Sequence, residues 1–189
     1  MPLSLNRPND YKIGTVGRPL MSNNLNVEGW EIEVDGPAVF NGYENQSTHT
    51  NLTSGKYLST GDVGELDEEG YLRLVGRKGD LIKTSTGRKI APAAIEQKLV
   101  KYLGAEQAMV VGEGRAHQAA IVCYDGGMTA EQKESFEKNL AKMNEGLADH
   151  ERVRRCVVLD RLFSLERGEL TRTLKLRRAH IEKIHGEAL

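Results

Sequence analysis

The chain has 189 residues, with 39% hydrophobic and 28% charged side chains and a formal net charge of -1. This balance is ordinary for a folded protein and excludes an overall charge attraction to nucleic acid or to an anionic membrane. The length suits one large domain or two small ones. Because the sequence opens with no signal peptide and contains no apolar run of about 18 residues, we expect a cytoplasmic protein.

The first part of the chain, residues 1–76, predicts several short strands. Trp30 begins a stretch of alternating apolar and acidic residues that ends at Asp35, a pattern typical of a half-exposed strand. Gly36-Pro37 predicts a turn. The polar run 66–71 predicts the turn of a hairpin, because apolar residues resume after it. We therefore expect a β-rich unit here.

Asp62 and Arg77 are the candidate binding residues of this unit. Thr60-Gly61-Asp62 predicts a tight turn, from which the Asp62 carboxylate could accept two hydrogen bonds from a diol. Alternating residues 72–76 predict a strand that ends at Arg77, where a guanidinium could bind a phosphate or a ribose. The alternative is a plain hairpin with a surface arginine.

Beyond residue 76 the pattern changes to alternating helices and strands. Helices are predicted from Pro92, from a capping box of Thr129 and Gln132, and roughly from Leu174 into Ile184. Apolar runs predict three strands, at Gln107–Val111, Gln118–Cys123 and Val153–Leu159. The predicted apolar faces of the first two helices consist of Ile95, Leu99, Tyr102, Leu103, Phe136, Leu140, Met143 and Leu147. We expect residues 77–189 to be a mixed α/β unit with a three-stranded sheet and flanking helices, which makes the whole chain α+β.

The segment from Gly168 to Arg178 carries a further candidate site. Lys175 lies there in a run of basic residues. A flexible cation beside a phosphorus atom that gathers negative charge stabilises the transition state more than the ground state. The alternative is an amphipathic terminal helix on which Lys175 is only solvated.

Neither a nucleic-acid site nor a metal site is indicated. Acidic residues interrupt the basic run from Arg152 to Lys183, and no aromatic platform accompanies it. The five histidines show no metal-ligand spacing with Cys123 or Cys156. Both cysteines lie in apolar runs, so we expect reduced core residues rather than a disulfide.

These segments together resemble a known family. Residues 57–96 and 168–178 are similar to core motifs of the AMP-forming acyl-CoA synthetases, members of the adenylate-forming superfamily. Two further segments of this chain also resemble segments of the family: Gly14–Leu20 and Val39–Tyr43. The Leu-Thr-x-Thr-x-Lys form ending at Lys175 looks like long-chain fatty acyl-CoA synthetases, although Arg172 stands where these enzymes often have proline. The resemblance implies an ATP-dependent long-chain fatty acid–CoA ligase.

The resemblance also implies a division of the chain. Residues 1–76 look like the β-barrel-like end of the family's large AMP-binding domain, and residues 77–189 look like its mobile C-terminal lid. Lys78-Gly79-Asp80 would be the hinge about which the lid rotates. Glycine suits such a role because it adopts both signs of φ without a Cβ penalty.

Roles for individual residues follow from the same resemblance. Asp62 would hold the ribose hydroxyls of ATP, and Arg77 would reach the same nucleotide. Lys83 and Gly87 belong to a loop that would line the path of the coenzyme A pantetheine arm. Lys175 would meet the α-phosphate during adenylation. The implied cofactors are ATP/AMP, coenzyme A and Mg²⁺, with the metal ligands expected in a missing N-terminal part.

That N-terminal part is expected because the family's phosphate-binding loop and Mg²⁺-coordinating glutamate do not occur in this sequence. We therefore expect a C-terminal fragment, inactive alone, whose partners are the missing domain and a fatty acid, with membrane contact only through that substrate. A naturally short relative is the alternative. Two other functions stay open: an acyl-AMP ligase that loads a carrier protein, and a non-catalytic module that retains the lid fold.

Overall fold

The computed structural model describes residues 2–20, 24–37, 39, 52–53 and 57–186. The predicted family segment at residues 40–43 lies outside the described residues. By the clustering of its contacts the chain divides into two compact units, Met1–Asp80 and Leu81–Leu189, which we call unit 1 and unit 2.

Within the described residues the chain forms twelve strands and three α-helices. The strands of unit 1 are β1 (Ser4–Leu5), β2 (Arg18–Pro19), β3 (Asn24–Glu28), β4 (Glu31–Asp35), β5 (Leu52–Thr53), β6 (Tyr57–Leu66) and β7 (Leu72–Arg77). The strands of unit 2 are β8 (Ile82–Lys83), β9 (Lys89–Ile90), β10 (Gln107–Val111), β11 (Gln118–Cys123) and β12 (Val153–Leu159). The helices are α1 (Pro92–Leu103), α2 (Ala130–Glu145) and α3 (Arg178–His185). A β-rich unit followed by a mixed α/β unit confirms the predicted fold class.

Unit 1 is built on an antiparallel sheet in the order β3-β4-β6-β5, with β7 also paired to β6. Gly29 and Trp30 form the two-residue turn between β3 and β4, with φ values of 56° and 83°. Two left-handed residues are what a tight turn between twisted strands requires. Trp30 was predicted to lie on the strand, which is wrong, because it lies in this turn and is 52% exposed. Glu33 is buried, so β4 is also more covered than the half-exposed strand that was predicted.

The hairpin of β6 and β7 follows the prediction. Its turn is held by Asp67, whose Oδ1 accepts hydrogen bonds from the backbone N–H groups of Glu69 (3.0 Å) and Tyr71 (2.9 Å). An aspartate that bonds to nearby backbone in this way stabilises a turn. The Tyr71 hydroxyl also donates to Asp10 at 2.6 Å, which fastens the N-terminal loop to the hairpin.

Unit 2 contains the predicted three-stranded sheet, in the order β10-β11-β12. Strands β10 and β11 are antiparallel, whereas β11 and β12 are parallel and are connected through α2. Helices α1 and α2 cover one face of the sheet. Ile181 of α3, together with Phe163, packs on the other face. The sheet is therefore enclosed between two apolar layers.

The first two helices begin where the sequence predicts. Pro92 occupies the first turn of α1, and Thr129 and Gln132 form the capping box of α2. Tyr102 was predicted to lie on the apolar face of α1, but its side chain is 37% exposed, so that prediction is wrong.

The last helix begins later than predicted. Helix α3 starts at Arg178 rather than near Leu174. Leu174 has a φ of 60°, in the left-handed region, which no residue of an α-helix adopts. The preceding residues are held by a tight turn, in which the N–H of Leu174 donates to the carbonyl oxygen of Thr171 at 2.8 Å.

Cys123 and Cys156 carry free thiols. Burial raises the pKa of each thiol to about 12, so both stay protonated and unreactive at neutral pH. Among the residues that the structure describes, no helix combines the length and apolar character needed to cross a membrane.

Candidate functional site

Asp62 and Arg77 lie opposite each other on the paired strands β6 and β7. The Nε of Arg77 is 2.9 Å from Oδ1 of Asp62, and the two side chains are 59% and 33% exposed. An exposed ion pair of this kind contributes about 1 kcal/mol or less, so a ligand can replace it at little cost. The two candidate nucleotide-binding residues of unit 1 are therefore brought together.

The segment Thr60-Gly61-Asp62 is a bulge inside β6, and the predicted tight turn is wrong. Glu31 of β4 pairs with Val63, and Glu33 pairs with Ser59, so three residues of β6 bulge out opposite a single residue of β4. Gly61 provides the positive φ of 73° that the bulge needs. The bulge interrupts the pairing of Asp62 with β4, whereas Asp62 stays paired with Arg77 of β7 and its side chain is one-third exposed.

The predicted hinge residues form a single 3₁₀ turn, Lys78–Asp80, directly after β7. The ammonium of Lys78 forms an ion pair with Glu31 at the start of β4. Gly79 has a φ outside the left-handed region, and a Cβ added there would meet no described atom within 4 Å. Neither backbone conformation nor space requires glycine at this position in the present structure.

Lys83 and Gly87 lie on the hairpin of β8 and β9. Lys83 is the last residue of β8, with its side chain exposed, and Gly87 has a φ of 79° in the loop. Buried Thr84 fixes the loop, because its Oγ1 accepts the N–H of Arg88 at 3.1 Å and its carbonyl oxygen accepts the N–H of Gly87 at 2.9 Å. The hairpin thus presents an exposed cation beside an ordered loop.

Lys175 lies on a loop that closes on itself, residues 169–177, which we call the lysine loop. Three successive contacts join its two sides. The N–H of Arg177 donates to the carbonyl oxygen of Glu169 (2.8 Å), Leu170 pairs with Leu176, and the N–H of Thr171 donates to the carbonyl oxygen of Lys175 (2.8 Å). The Lys175 side chain is exposed, and its ammonium forms no hydrogen bond or ion pair with another described residue.

The base of the lysine loop is a buried carboxylate that the sequence did not indicate as a site residue. Glu169 is fully buried and accepts two hydrogen bonds of 2.9 Å from Arg161. Its Oε2 also accepts the N–H of Ser164 at 3.0 Å, and Nε2 of His185 is 3.4 Å from Oε1. Burial favours the protonated acid, but these hydrogen bonds outweigh it and lower the pKa of Glu169 from 4.5 to about 2.

This pKa predicts how the stability of unit 2 depends on pH. The pKa of the Glu169 carboxyl is 4.5 in the unfolded chain and about 2 in the folded state. Its charged form therefore contributes ~3 kcal/mol to the free energy of unfolding above pH 4.5. This contribution is lost as the pH falls towards 2. We expect Glu169→Gln to destabilise unit 2 most at pH 7, and by about half as much near pH 3.

Urea unfolding of the 189-residue chain, followed by helical circular dichroism, measures this effect. The signal reports unit 2, since all three helices of the described chain lie in it. A destabilisation of equal size at pH 7 and pH 3 would contradict the assignment.

The structure brings some predicted site residues together and leaves others separate. Asp62 and Arg77 form one pair, and Lys83 and Gly87 share one hairpin. Within the described residues, no hydrogen bond joins that hairpin to the lysine loop. In the same part of the chain, no cluster of three or more metal-ligating side chains occurs.

Sequence relatives of the chain are enzymes that form coenzyme A esters. A long-chain-fatty-acid–CoA ligase of Mycobacterium tuberculosis is 30% identical over 199 residues, covering 93% of this chain and 33% of the relative. A 2-succinylbenzoate–CoA ligase of Oceanobacillus iheyensis is 40% identical over 146 residues, covering 69% of this chain and 30% of the relative. The chain thus spans about a third of the length of the curated relatives it matches.

Solved structures and a family profile agree with these relatives. O-succinylbenzoate coenzyme A synthetase from Bacillus subtilis in complex with AMP matches 89% of this chain and 35% of its own, with a TM-score of 0.65 at 29% identity. An anthranilate CoA ligase in complex with anthranoyl-AMP shares the fold over 97% of this chain and 36% of its own, with a TM-score of 0.72 at 21% identity. The profile described as AMP-binding enzyme C-terminal domain matches residues 79–185. The chain therefore belongs to the family of AMP-binding enzyme C-terminal domains, which is part of the adenylate-forming superfamily.

Proposed function

We propose that the chain is the C-terminal part of an ATP-dependent acyl-CoA ligase. The observation that carries the proposal is Lys175, an exposed cation on an ordered loop within the part of the chain that matches the family. The backbone of Lys175 is held in place, and no described neighbour neutralises the charge of its side chain. Such a cation is suited to stabilise negative charge that develops on a substrate.

The proposed reaction has two halves. In the first, a substrate carboxylate attacks the α-phosphorus of ATP, and pyrophosphate leaves. Lys175 stabilises the charge on the α-phosphate oxygens, while Asp62 accepts hydrogen bonds from the ribose diol and Arg77 orients the same nucleotide. In the second half, the thiol of coenzyme A attacks the acyl carbon, loses its proton and displaces AMP. The Mg²⁺ that accompanies ATP is expected to have its protein ligands outside this chain.

The division of the chain into two units suggests how one protein could carry out both half-reactions. We propose that residues 1–76 end the large AMP-binding domain and that residues 77–189 are a lid that turns about Lys78-Gly79-Asp80. The boundary between the units, after Asp80, and the start of the family match at residue 79 support a hinge at this place. Lys83 and Gly87 would then line the path of the pantetheine arm after the lid has turned.

For the acyl group we propose a long-chain fatty acid. The Leu-Thr-x-Thr-x-Lys form ending at Lys175 supports it, as does a long-chain ligase that matches 93% of the chain. A relative named for 2-succinylbenzoate supports an aromatic acid instead, so both acids belong in the test.

The proposal predicts that activity needs more than this chain. We expect the full-length protein to form acyl-CoA from ATP, Mg²⁺, coenzyme A and palmitate, and the 189-residue chain alone to form none. The reason is that the groups expected to bind the triphosphate and its metal are absent from the chain. Acyl-CoA is measured by chromatography, with 2-succinylbenzoate as the parallel substrate.

Each outcome of this assay decides one statement. Turnover of 2-succinylbenzoate but not palmitate would replace the proposed substrate and leave the ligase assignment intact. Acyl-CoA formation by the 189-residue chain would contradict its proposed incompleteness. No AMP release by the full-length protein with either acid would contradict the ligase proposal.

A further inference from the structure

Glu169 is a buried carboxylate of unit 2 whose presence apolar packing does not explain. Glu169 is 0% exposed, yet the pKa of its side chain, lowered to about 2, keeps it charged at neutral pH. A buried ion pair seldom stabilises a fold more than well-packed apolar side chains of similar volume would. A role other than packing is therefore worth testing at this position.

Its contacts hold two other segments of unit 2 against the base of the lysine loop. Arg161 and Ser164 come from the segment that follows β12, and His185 comes from the end of α3. Two of these contacts form a parallel pair, because both Nη atoms of Arg161 donate to the carboxylate at 2.9 Å. Such a fork fixes the direction of a carboxylate as well as its position.

The backbone of Glu169 is fixed as well. Its N–H donates to the carbonyl oxygen of Ser164 at 3.0 Å, and its carbonyl oxygen accepts the N–H of Arg177 at 2.8 Å. The second bond closes the lysine loop, since Glu169 and Arg177 are its first and last residues. From this base the paired residues Leu170 and Leu176 lead directly to the Lys175 end of the loop.

We propose that Glu169 is the positioning residue of Lys175. It acts through the loop: the Arg161 fork fixes the base, and the backbone contacts of the loop carry that position to the lysine. The inference rests on the proposed role of Lys175 in adenylation. A displaced catalytic group can lose much of its effect even when it is still present, which makes the base of its loop a sensitive place.

The test uses Glu169→Gln in the full-length protein, because glutamine keeps the size of the side chain but replaces the charged fork. We expect the kcat of adenylation, measured by ATP–pyrophosphate exchange, to fall about tenfold or more. Formation of the thioester from preformed acyl-adenylate, which does not use Lys175, should change by less than about twofold. A purely structural role would lower both half-reactions together, because both need a folded unit 2.

Glu96→Gln is the matched control. Glu96 also accepts a two-pronged contact from an arginine, Arg178, at 2.6 and 2.8 Å, and it also accepts a backbone N–H, that of Val110. Its side chain is 12% exposed, and its backbone is part of α1 rather than of the lysine loop. We expect this variant to lower Tm while the ratio of the two half-reactions stays as in the unmodified protein.

A double variant separates action through Lys175 from independent action. If Glu169 works by placing Lys175, then Glu169→Gln combined with Lys175→Ala should be no slower in adenylation than Lys175→Ala alone. If the effects of the two substitutions on the adenylation rate multiply, the inference is overturned. It is also overturned if Glu169→Gln lowers both half-reactions equally or leaves the adenylation rate unchanged. If Lys175→Ala itself leaves adenylation intact, the proposed function of the lysine fails, which is a distinct result.

Arg161→Lys provides a second approach should the glutamine variant fold poorly. Lysine keeps the positive charge beside Glu169 but cannot form the planar fork. We expect the same selective loss of adenylation. Failure of both variants to fold would overturn the inference, because the pair would then be needed for unit 2 as a whole.

Discussion

Replacing Lys175 with alanine in the full-length protein is expected to slow adenylation by about a hundredfold or more, the effect of losing one donor that stabilises charge in a transition state. Thioester formation from preformed acyl-adenylate should survive. The side chain is exposed and forms no bond with another described residue, so Tm should change little. ATP–pyrophosphate exchange measures the first half-reaction, and release of AMP from acyl-adenylate and coenzyme A measures the second.

Arg172→Ala is the control for this variant. Arg172 is another exposed cation of the lysine loop, but it lies within the tight turn of residues 171–174, whereas Lys175 follows that turn. If net positive charge on the loop is what matters, both variants should lose adenylation to a similar degree. Loss confined to Lys175→Ala shows that the position of the ammonium matters, and equal loss of both half-reactions would assign Lys175 a structural role.

A second large effect is expected at the hinge, from Gly79→Pro. Proline fixes φ at about -65° and disfavours helical conformations of the residue before it, here Lys78. The change should therefore hold residues 78–80 in one backbone conformation and trap the lid in one orientation. We expect one half-reaction to keep a near-normal rate and the other to fall about tenfold or more.

Gly79→Ala is the matched control, because the structure has room for it. A Cβ at this position meets no described atom within 4 Å, and the φ of Gly79 lies outside the left-handed region. Alanine should fold normally and retain most of both half-reactions. If the proline variant loses both half-reactions and its Tm falls as well, Gly79 is a folding residue and the hinge proposal fails.

Local patterns predicted those elements whose cause is itself local. After their first residues, Gln107 and Gln118, the strands β10 and β11 are continuous apolar runs, and both are buried along most of their length, so the sequence defines them directly. The capping box of Thr129 and Gln132 predicted the start of α2 for the same reason, since its two bonds join residues three positions apart.

Features that depend on a distant partner were missed. The bulge at Gly61 exists because β6 pairs with β4, so its three residues resemble a turn when the sequence is read alone. The start of α3 was misplaced because the lysine loop closes through Thr171 and Lys175 before the helix begins. The importance of Glu169 depends on Arg161 and His185, and in the sequence it resembles any surface glutamate.

The parallel pairing of β11 and β12 has a consequence for the way unit 2 reaches its folded state. Strand β11 is buried at every residue, but the neighbour that covers one of its edges begins only at Val153, after the whole of α2. A chain synthesised or cleaved short of that point would leave a strand that is apolar from Ala119 to Cys123 with an open edge. Such an edge pairs readily with other chains, so incomplete copies of unit 2 are prone to aggregate until the residues from Val153 onward are in place.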